Sequence, residues 1–219
     1  MIEGSAQGSG RSPRCGMVGG GPGAFIGDVH RKAIALDGSA ALVAGCFTRS
    51  HENTRSTGRA LGLPDDRLYR SLDEMAEAES RRKDGIDFAV VVTPNGAHHA
   101  AATAFLSRGI PVVCDKPLVF EEKEAQELKA LATAKDLLFC VTYTYTGYPA
   151  MKHAREMIAR GDVGPARFVH AEYPQEWLAT LVEHEADLDF PDVEDGLSGV
   201  RFIGRRVESS QQGAVWVDF

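Results

Sequence analysis

The sequence predicts an α/β fold: a doubly wound parallel sheet followed by a smaller α+β segment. Three observations predict it: a glycine-rich turn after a buried apolar strand, a repeated alternation of apolar runs with helical patterns, and polar tripeptides at the ends of two later strands. Alternating strands and helices favour a parallel sheet, because a crossover helix joins each strand to the next. We expect a flexible leader at 1–13, rich in glycine and serine, a dinucleotide-binding domain at 14–147, and a bridging helix with a C-terminal segment at 148–219.

Composition and charge argue against two classes of partner. The formal net charge of -7 argues against a nucleic-acid partner, because proteins that bind nucleic acids usually present a basic face. No apolar run approaches the roughly 20 residues of a membrane span. Four cysteines lie scattered in or beside predicted strands, which is typical of small core residues in a reducing compartment, so we expect a cytoplasmic protein without a metal site. They are Cys15, Cys46, Cys114 and Cys140.

A glycine-rich turn joins the first predicted strand, residues 15–18, to the first predicted helix. Glycines let backbone N–H groups approach a pyrophosphate at a helix N-terminus. Two spacings fit the dinucleotide fingerprint: Gly19, Gly21 and Ala24, or Gly21, Gly23 and Gly27. The fingerprint alone leaves open a flavin, another nucleotide or a turn without ligand. The residues predicted to contact the cofactor here are Gly19, Gly21, Gly23, Ala24, Phe25 and Ile26.

The second predicted strand, residues 41–47, ends in Thr48, Arg49 and Ser50. A ribose-binding carboxylate normally follows the second strand, about 20 residues after the glycines. Here a guanidinium and two hydroxyls stand instead, and such groups favour a 2′-phosphate. We therefore expect NADP in preference to NAD. The alternative is that Arg49 stacks on the adenine or lies in solvent.

Two later strands end in polar residues that the topology brings to the same edge of the sheet, where a ligand crevice lies. The first is followed by a helix that begins at His98, for which we expect either a ligand contact or a structural role. The second delivers Lys116, whose ammonium can bind or polarise a substrate hydroxyl or carbonyl; the alternative is a plain surface pair with its neighbour. The cofactor-contacting candidates are Thr93, Pro94, Asn95, His98, Asp115 and Lys116.

Four local expectations complete the pattern. The apolar residues of the first helix predict which face packs on the sheet. Residues 67–69 predict a short third strand. Ser71 and Glu74 predict a capping box at the start of the next helix. The charged run at 79–84 predicts a solvated connection. The apolar residues of the first helix are Phe25, Ile26, Val29, Ala33, Ile34 and Leu36.

With these motifs the chain resembles the Gfo/Idh/MocA family of NAD(P)-dependent oxidoreductases, which act mostly on sugars, inositols and related polyols. The resemblance covers residues 14–177, and Asp115-Lys116-Pro117 is similar to the family's Glu-Lys-Pro signature. It implies a Rossmann-type sheet and a Lys116 that orients substrate beside the nicotinamide. It also implies that residues 143–149 line the pocket, and we name Tyr145 with Lys116 as candidate catalytic residues.

The C-terminal part of the sequence departs from the pattern of this family. The family's second domain is a large open sheet that carries a Gly-Asp…His segment, and no such segment is present here. Residues 166–173 are similar to that sheet's first strand and 193–219 to its closing helix and strand, so we expect an internal deletion and a truncated α+β remnant. A sheet so reduced has unpaired edges, which favours a homo-oligomer. Two alternatives follow: a catalytically impaired nucleotide-binding relative, or an interaction module that pairs through residues 168–173.

Overall fold

The computed structural model describes residues 11–36, 38–165, 167, 168 and 172. Within them, five parallel strands form one sheet in the order β2-β1-β3-β4-β5, which confirms the predicted doubly wound Rossmann-type sheet. Residues 1–10 and nearly all of the predicted C-terminal remnant lie outside the described residues. The strands are β1 (Arg14–Gly19), β2 (Ala41–Cys46), β3 (Phe88–Val92), β4 (Val112–Cys114) and β5 (Phe139–Val141).

Helices connect the strands and cover both faces of the sheet. None of the described helices is long and apolar enough to span a membrane. Single turns of 3-10 helix at Asp65–Arg67, Asn95–Ala97 and Thr144–Gly147 precede other elements. The helices are α1 (Phe25–Ala35), α2 (His51–Ala60), α3 (Leu72–Arg81), α4 (His98–Ser107), α5 (Glu122–Ala134) and α6 (Pro149–Arg160).

Each face of the sheet has its own core, because successive residues of a strand point to opposite faces. In β3, Val91 packs in one core with Phe105 of α4, and Val90 packs in the other with Phe47. Parallel strands covered on both faces are continuously apolar, which is why the sequence locates them well. The register places Val18 of β1 opposite Val91.

The prediction of a third strand at residues 67–69 is wrong, because the structure has a single bridge there. Leu68 forms a single parallel bridge with Gly45 of β2, and the N–H of Tyr69 donates to the Gly45 carbonyl at 2.9 Å. The 3-10 turn ends at Arg67 and Ser71 already caps α3. The chain therefore lies along β2 for one bridge only.

The cap of α3 is confirmed in half of its predicted form. The Ser71 hydroxyl accepts from the N–H of Glu74 at 3.1 Å, as a capping box requires. The Glu74 carboxylate, however, accepts from the N–H of Arg70 at 2.8 Å. The carboxylate therefore holds the residue before the cap.

The packed face of α1 confirms the predicted apolar stripe at Ile26 and Ile34 and differs from it at Phe25 and Leu36. Phe25 is 80% and Leu36 is 87% exposed, whereas Gly27 is buried and Ile34 packs against the core. A Cβ on Gly27 would lie 2.4 Å from the Cα of Gly20, so the helix approaches the turn on its glycine side. Close backbone contact, and not the largest apolar residues, sets the rotation of this helix.

The charged run at 79–84 is only in part a solvated connection. Glu79 belongs to α3, is 2% exposed, and forms a buried ion pair with Arg67. The hydroxyl of Tyr69 donates to the same carboxylate at 2.7 Å. The expectation is wrong for Glu79 because a carboxylate enters the interior when donors there satisfy it.

The end of the predicted leader is tied to the sheet. The Arg11 guanidinium donates to both oxygens of Asp87 at 2.7 and 2.8 Å. The N–H of Arg14 donates to Asp87 at 2.6 Å, and the carbonyl of Pro13 accepts from Ala41. The Arg11 guanidinium is the main reason that the pKa of Asp87 falls to about 2.

Candidate functional site

The glycine turn divides the fingerprint roles between glycines of both predicted spacings. Gly19 ends β1 with φ of 87°, and a Cβ there would lie 2.5 Å from the carbonyl oxygen of Val92. Gly21 lies beside the end of β2, where a Cβ would meet Phe47 O at 3.0 Å. Gly27 supplies the close helix contact described above. The turn is thus shaped by positions that admit no side chain.

Arg31 supports this turn from α1. Its Nη1 donates to the carbonyl of Gly20 at 2.8 Å, and its side chain is mostly buried. Sequence reasoning missed this residue; its signal is the i+4 spacing from Gly27, which places both on the inner face of α1. A cleft of about 520 Å³ opens beside the turn, lined by residues 20–25, Asp28 and Arg31 and by the last turns of α2.

The end of β2 places its three candidates differently. The Thr48 hydroxyl donates to the Ser50 carbonyl at 2.8 Å, and the Ser50 hydroxyl caps α2 by accepting from Asn53 N–H at 3.3 Å. Arg49 is exposed, and it makes no hydrogen bond or ion pair with another residue of the described part of the chain. The two hydroxyls shape the loop, and the guanidinium stays open to a ligand.

The residues after β3 lie next to the glycine turn. A Cβ on Gly19 would lie 2.8 Å from the backbone nitrogen of Thr93. The Thr93 Oγ1 is buried without a hydrogen-bond partner in the described structure. Pro94 and Asn95 are exposed and lead into the 3-10 turn before α4. The first and third strands therefore bring their candidate residues together.

Asp115 links the end of β4 to the glycine helix. Its Oδ1 accepts from the Thr142 hydroxyl at 2.8 Å and lies 3.6 Å from Nε2 of His30 in α1. Lys116, the next residue, is exposed and has no hydrogen bond or ion pair within the described ranges. The sequence missed His30, since a histidine inside an amphipathic helix gives no signal of its partner.

His98 does not face the crevice. Its ring is 0% exposed, with Nδ1 2.8 Å from the Pro117 carbonyl oxygen and Nε2 2.9 Å from that of Thr93. Every polar contact of the ring is thus with backbone, and no part of it is open to a ligand. Of the two roles expected for this residue, its placement fits the structural one.

Tyr145 lies in the short 3-10 turn after β5. Its ring is half exposed and stacks edge-on against Tyr148, with centroids 5.5 Å apart. Phe25, at the N-terminus of α1, is exposed, whereas Ile26 packs against the core. The roles of these residues in binding or catalysis stay predictions.

The sheet, the glycine turn and the polar strand ends recur in known proteins. Residues 13–143 match the family described as "Oxidoreductase family, NAD-binding Rossmann fold", GFO_IDH_MocA. The chain belongs to the Gfo/Idh/MocA family. This confirms the resemblance inferred from the strand ends.

Similar members of the Gfo/Idh/MocA family are longer than this chain. An uncharacterized oxidoreductase, YfiI of Bacillus subtilis, is 38% identical over 168 residues, 76% of this chain and 43% of its own length. An oxidoreductase structure from Sinorhizobium meliloti is 49% identical with a TM-score of 0.67, over 70% of this chain and 43% of that one. An Azotobacter vinelandii inositol dehydrogenase homolog, complexed with NADH and myo-inositol, is 42% identical with a TM-score of 0.68, over 71% and 41%.

The cysteines of this Gfo/Idh/MocA chain are free thiols, and three of them are buried. Burial raises the pKa of Cys15 and of Cys114 to about 12 and that of Cys46 to about 11. These thiols stay protonated and carry no nucleophilic chemistry. Cys140, in the edge strand β5, departs from the predicted core role, since it is exposed.

Proposed function

We propose that this chain binds a nicotinamide dinucleotide at the glycine turn and orients a sugar- or polyol-like substrate for oxidation or reduction. The observation that carries the proposal is the contact of Asp115 with His30. It joins the strand end that bears Lys116 to the helix that begins at the turn. The strand end that bears Lys116 and the candidate cofactor site therefore lie at one edge of the sheet.

The residues of the turn fit a dinucleotide. The backbone at Gly19 and Gly21 leaves no room for a side chain, and the Thr93 hydroxyl is buried without a partner beside it. The N-terminus of α1 points its free N–H groups into this region, which favours a diphosphate. Gly19, Gly21 and Ala24 would hold the diphosphate, with Thr93, Pro94 and Asn95 alongside. When bound, the nicotinamide would supply or accept the hydride.

Lys116 would bind the substrate oxygen at the reacting carbon. Its ammonium has no partner among the described residues, so it is available to donate to a hydroxyl or to polarise a carbonyl. Tyr145 is proposed to assist through its phenol, since its segment follows β5 at the same edge. A polyol substrate is supported by the myo-inositol bound to the Azotobacter vinelandii homolog.

NADP is proposed over NAD as the preferred cofactor. The exposed Arg49 guanidinium at the end of β2 supports this preference, because a 2′-phosphate pairs with it bidentately. The homolog complexed with NADH supports NAD as the alternative. The ratio of the two dissociation constants decides between them.

Titration with NADPH and NADH, followed by nucleotide fluorescence, tests binding, and cofactor reduction with a polyol panel that includes myo-inositol tests turnover. We expect saturable binding, tighter for NADPH. Lys116→Met should lower turnover by about 10²- to 10⁴-fold with unchanged cofactor affinity, since the lysine acts on substrate. Lys123→Met, an exposed lysine of α5, is the matched control and should match wild type.

Three outcomes separate the proposals. Turnover that depends on Lys116 supports the oxidoreductase. Binding of either nucleotide without turnover of any polyol leaves the impaired nucleotide-binding relative. Absence of binding to both nucleotides refutes the proposed site. Sizes measured by light scattering at several concentrations test the proposed homo-oligomer, which a strictly monomeric protein would contradict.

A further inference from the structure

The ring of His98 connects the two loops that carry the candidate site. Its Nε2 faces the carbonyl of Thr93, after β3. Its Nδ1 lies 2.8 Å from the carbonyl of Pro117 and 3.2 Å from that of Leu118, both after β4. The ring itself is fully buried at the start of α4. One side chain thus lies in contact with the backbone on both sides of the crevice floor.

We infer that His98 is a positioning residue for Lys116, an inference that rests on the proposed function. Pro117 directly follows Lys116, so a hydrogen bond to the Pro117 carbonyl fixes the backbone from which the lysine side chain extends. The other edge of the same ring packs against the carbonyl of Thr93 beside the glycine turn. His98 therefore sets the distance between Lys116 and the cofactor site, without touching the substrate or the cofactor.

The chemistry of the contacts defines what the ring must supply. All three partners are carbonyl oxygens, which only accept hydrogen bonds, and a neutral imidazole carries one N–H, so the ring donates on one side only. The contact that positions Lys116 requires a proton on Nδ1. The function of that proton is to form a hydrogen bond with the Pro117 carbonyl, and not with a substrate.

Two substitutions separate the two sides of the ring. Asparagine places an amide N–H₂ near the position of Nδ1, and glutamine places one near that of Nε2. His98→Asn therefore keeps the contact with Pro117, and His98→Gln keeps the contact with Thr93. With the proton on Nε2 instead, the ring would hold the Thr93 carbonyl and the order would reverse, so that His98→Asn would be the impaired variant.

The first measurement is turnover with NADP and myo-inositol, beside the dissociation constant of NADPH. We expect His98→Asn to remain within about threefold of wild-type kcat and His98→Gln to lose about tenfold, the effect of one misplaced hydrogen bond. Both variants should keep the NADPH dissociation constant within about twofold. Equal losses in both variants would overturn the inference.

The second measurement needs no turnover, so it distinguishes this inference from the proposed function. Reductive methylation with ¹³C-formaldehyde labels the lysines, and Lys116→Arg assigns the resonance of Lys116. His98→Gln should shift that resonance, and His98→Asn should leave it in place; an unshifted resonance in His98→Gln overturns the inference. A long-range ¹H–¹⁵N spectrum of wild type, which requires no variant to fold, should show a proton on Nδ1. An unprotonated Nδ1 would likewise refute the inference.

Discussion

The carboxylate of Glu79 accepts hydrogen bonds from three residues inside the protein. Arg67 donates through its guanidinium, Tyr69 through its hydroxyl at 2.7 Å, and Ile86 through its backbone N–H at 3.1 Å. Burial, with this carboxylate as the second cause, raises the pKa of Tyr69 above its ordinary value, so the phenol stays a donor. A buried charge so surrounded is stable only while every partner remains.

At this residue scale we predict that Glu79→Gln lowers the free energy of unfolding by about 3–5 kcal/mol, because it leaves the buried Arg67 charge with only the more distant, exposed Asp84 carboxylate at 3.5 Å. Urea denaturation measures the change. Arg81→Ala is the matched control: its ion pair with Glu77 is exposed, and the loss should stay below about 1 kcal/mol. In the double variant with Arg67→Met the combined loss should be smaller than the sum of the single losses. Additive losses would show that the pair is not coupled.

Residues that look alike in the sequence are buried at some positions of this fold and exposed at others. This limits the roles that can be assigned from the sequence alone. Glu79 lies in a charged run whose other members suit solvent, and nothing local marks the arginine 12 positions before it as its partner. For His98 the sequence predicts either a ligand contact or a structural role, and its burial depends on where Pro117 lies in space. The location of Lys116 is easier to predict, because a residue at the end of a parallel strand lies at a known edge of the sheet.

At the scale of elements, α1 and the turn that follows β1 meet through backbone. Gly27 and Gly20 touch where a side chain on either would separate helix from strand, and Arg31 bonds the carbonyl of Gly20 from the same helix face. The contact fixes both the rotation of α1 and the conformation of the turn before it. The shape of the turn therefore depends on the packing of the helix.

We predict that Gly27→Ala destabilises the protein by about 1–3 kcal/mol, since overpacking against backbone outweighs the better helix propensity of alanine. The added Cβ would lie 2.4 Å from the Cα of Gly20. NADPH affinity should fall with it, because the turn must move. Thermal unfolding and nucleotide titration measure the two effects. Gly147→Ala, where a Cβ meets nothing within 4 Å, is the control and should change stability by less than about 0.5 kcal/mol. A fully stable Gly27→Ala protein would contradict the packing argument.

The elements themselves were predictable wherever one physical rule governed them. Buried parallel strands are continuously apolar, and α3 begins after a capping serine, Ser71, with apolar residues at helical spacing. The failures occur where tertiary contact decides. Leu68 forms a bridge and not a strand, and the rotation of α1 follows Gly27 instead of Phe25. Neither contact is encoded in local periodicity.

At the scale of the whole molecule, the chain divides into two units, Met1–Asp162 and Val163–Phe219. The first contains the entire described sheet and both of its cores. It also contains every residue placed in the proposed site. Leu137 and Phe139, around the edge strand β5, pack against one of those cores. A chain segment that holds its complete core has what independent folding requires.

We therefore predict that a fragment of residues 1–162 unfolds cooperatively and binds NADPH within about twofold of the full chain. The physical reason is that neither the sheet nor the glycine turn draws on a described residue beyond this range. A fragment of residues 1–136 is the matched control. It lacks β5 together with Leu137 and Phe139, so it should lose about 2 kcal/mol or more of stability. Circular dichroism on heating and nucleotide titration measure both fragments. If residues 1–162 melt without a cooperative transition, the sheet requires chain from the second unit, and the first unit is not an independent fold.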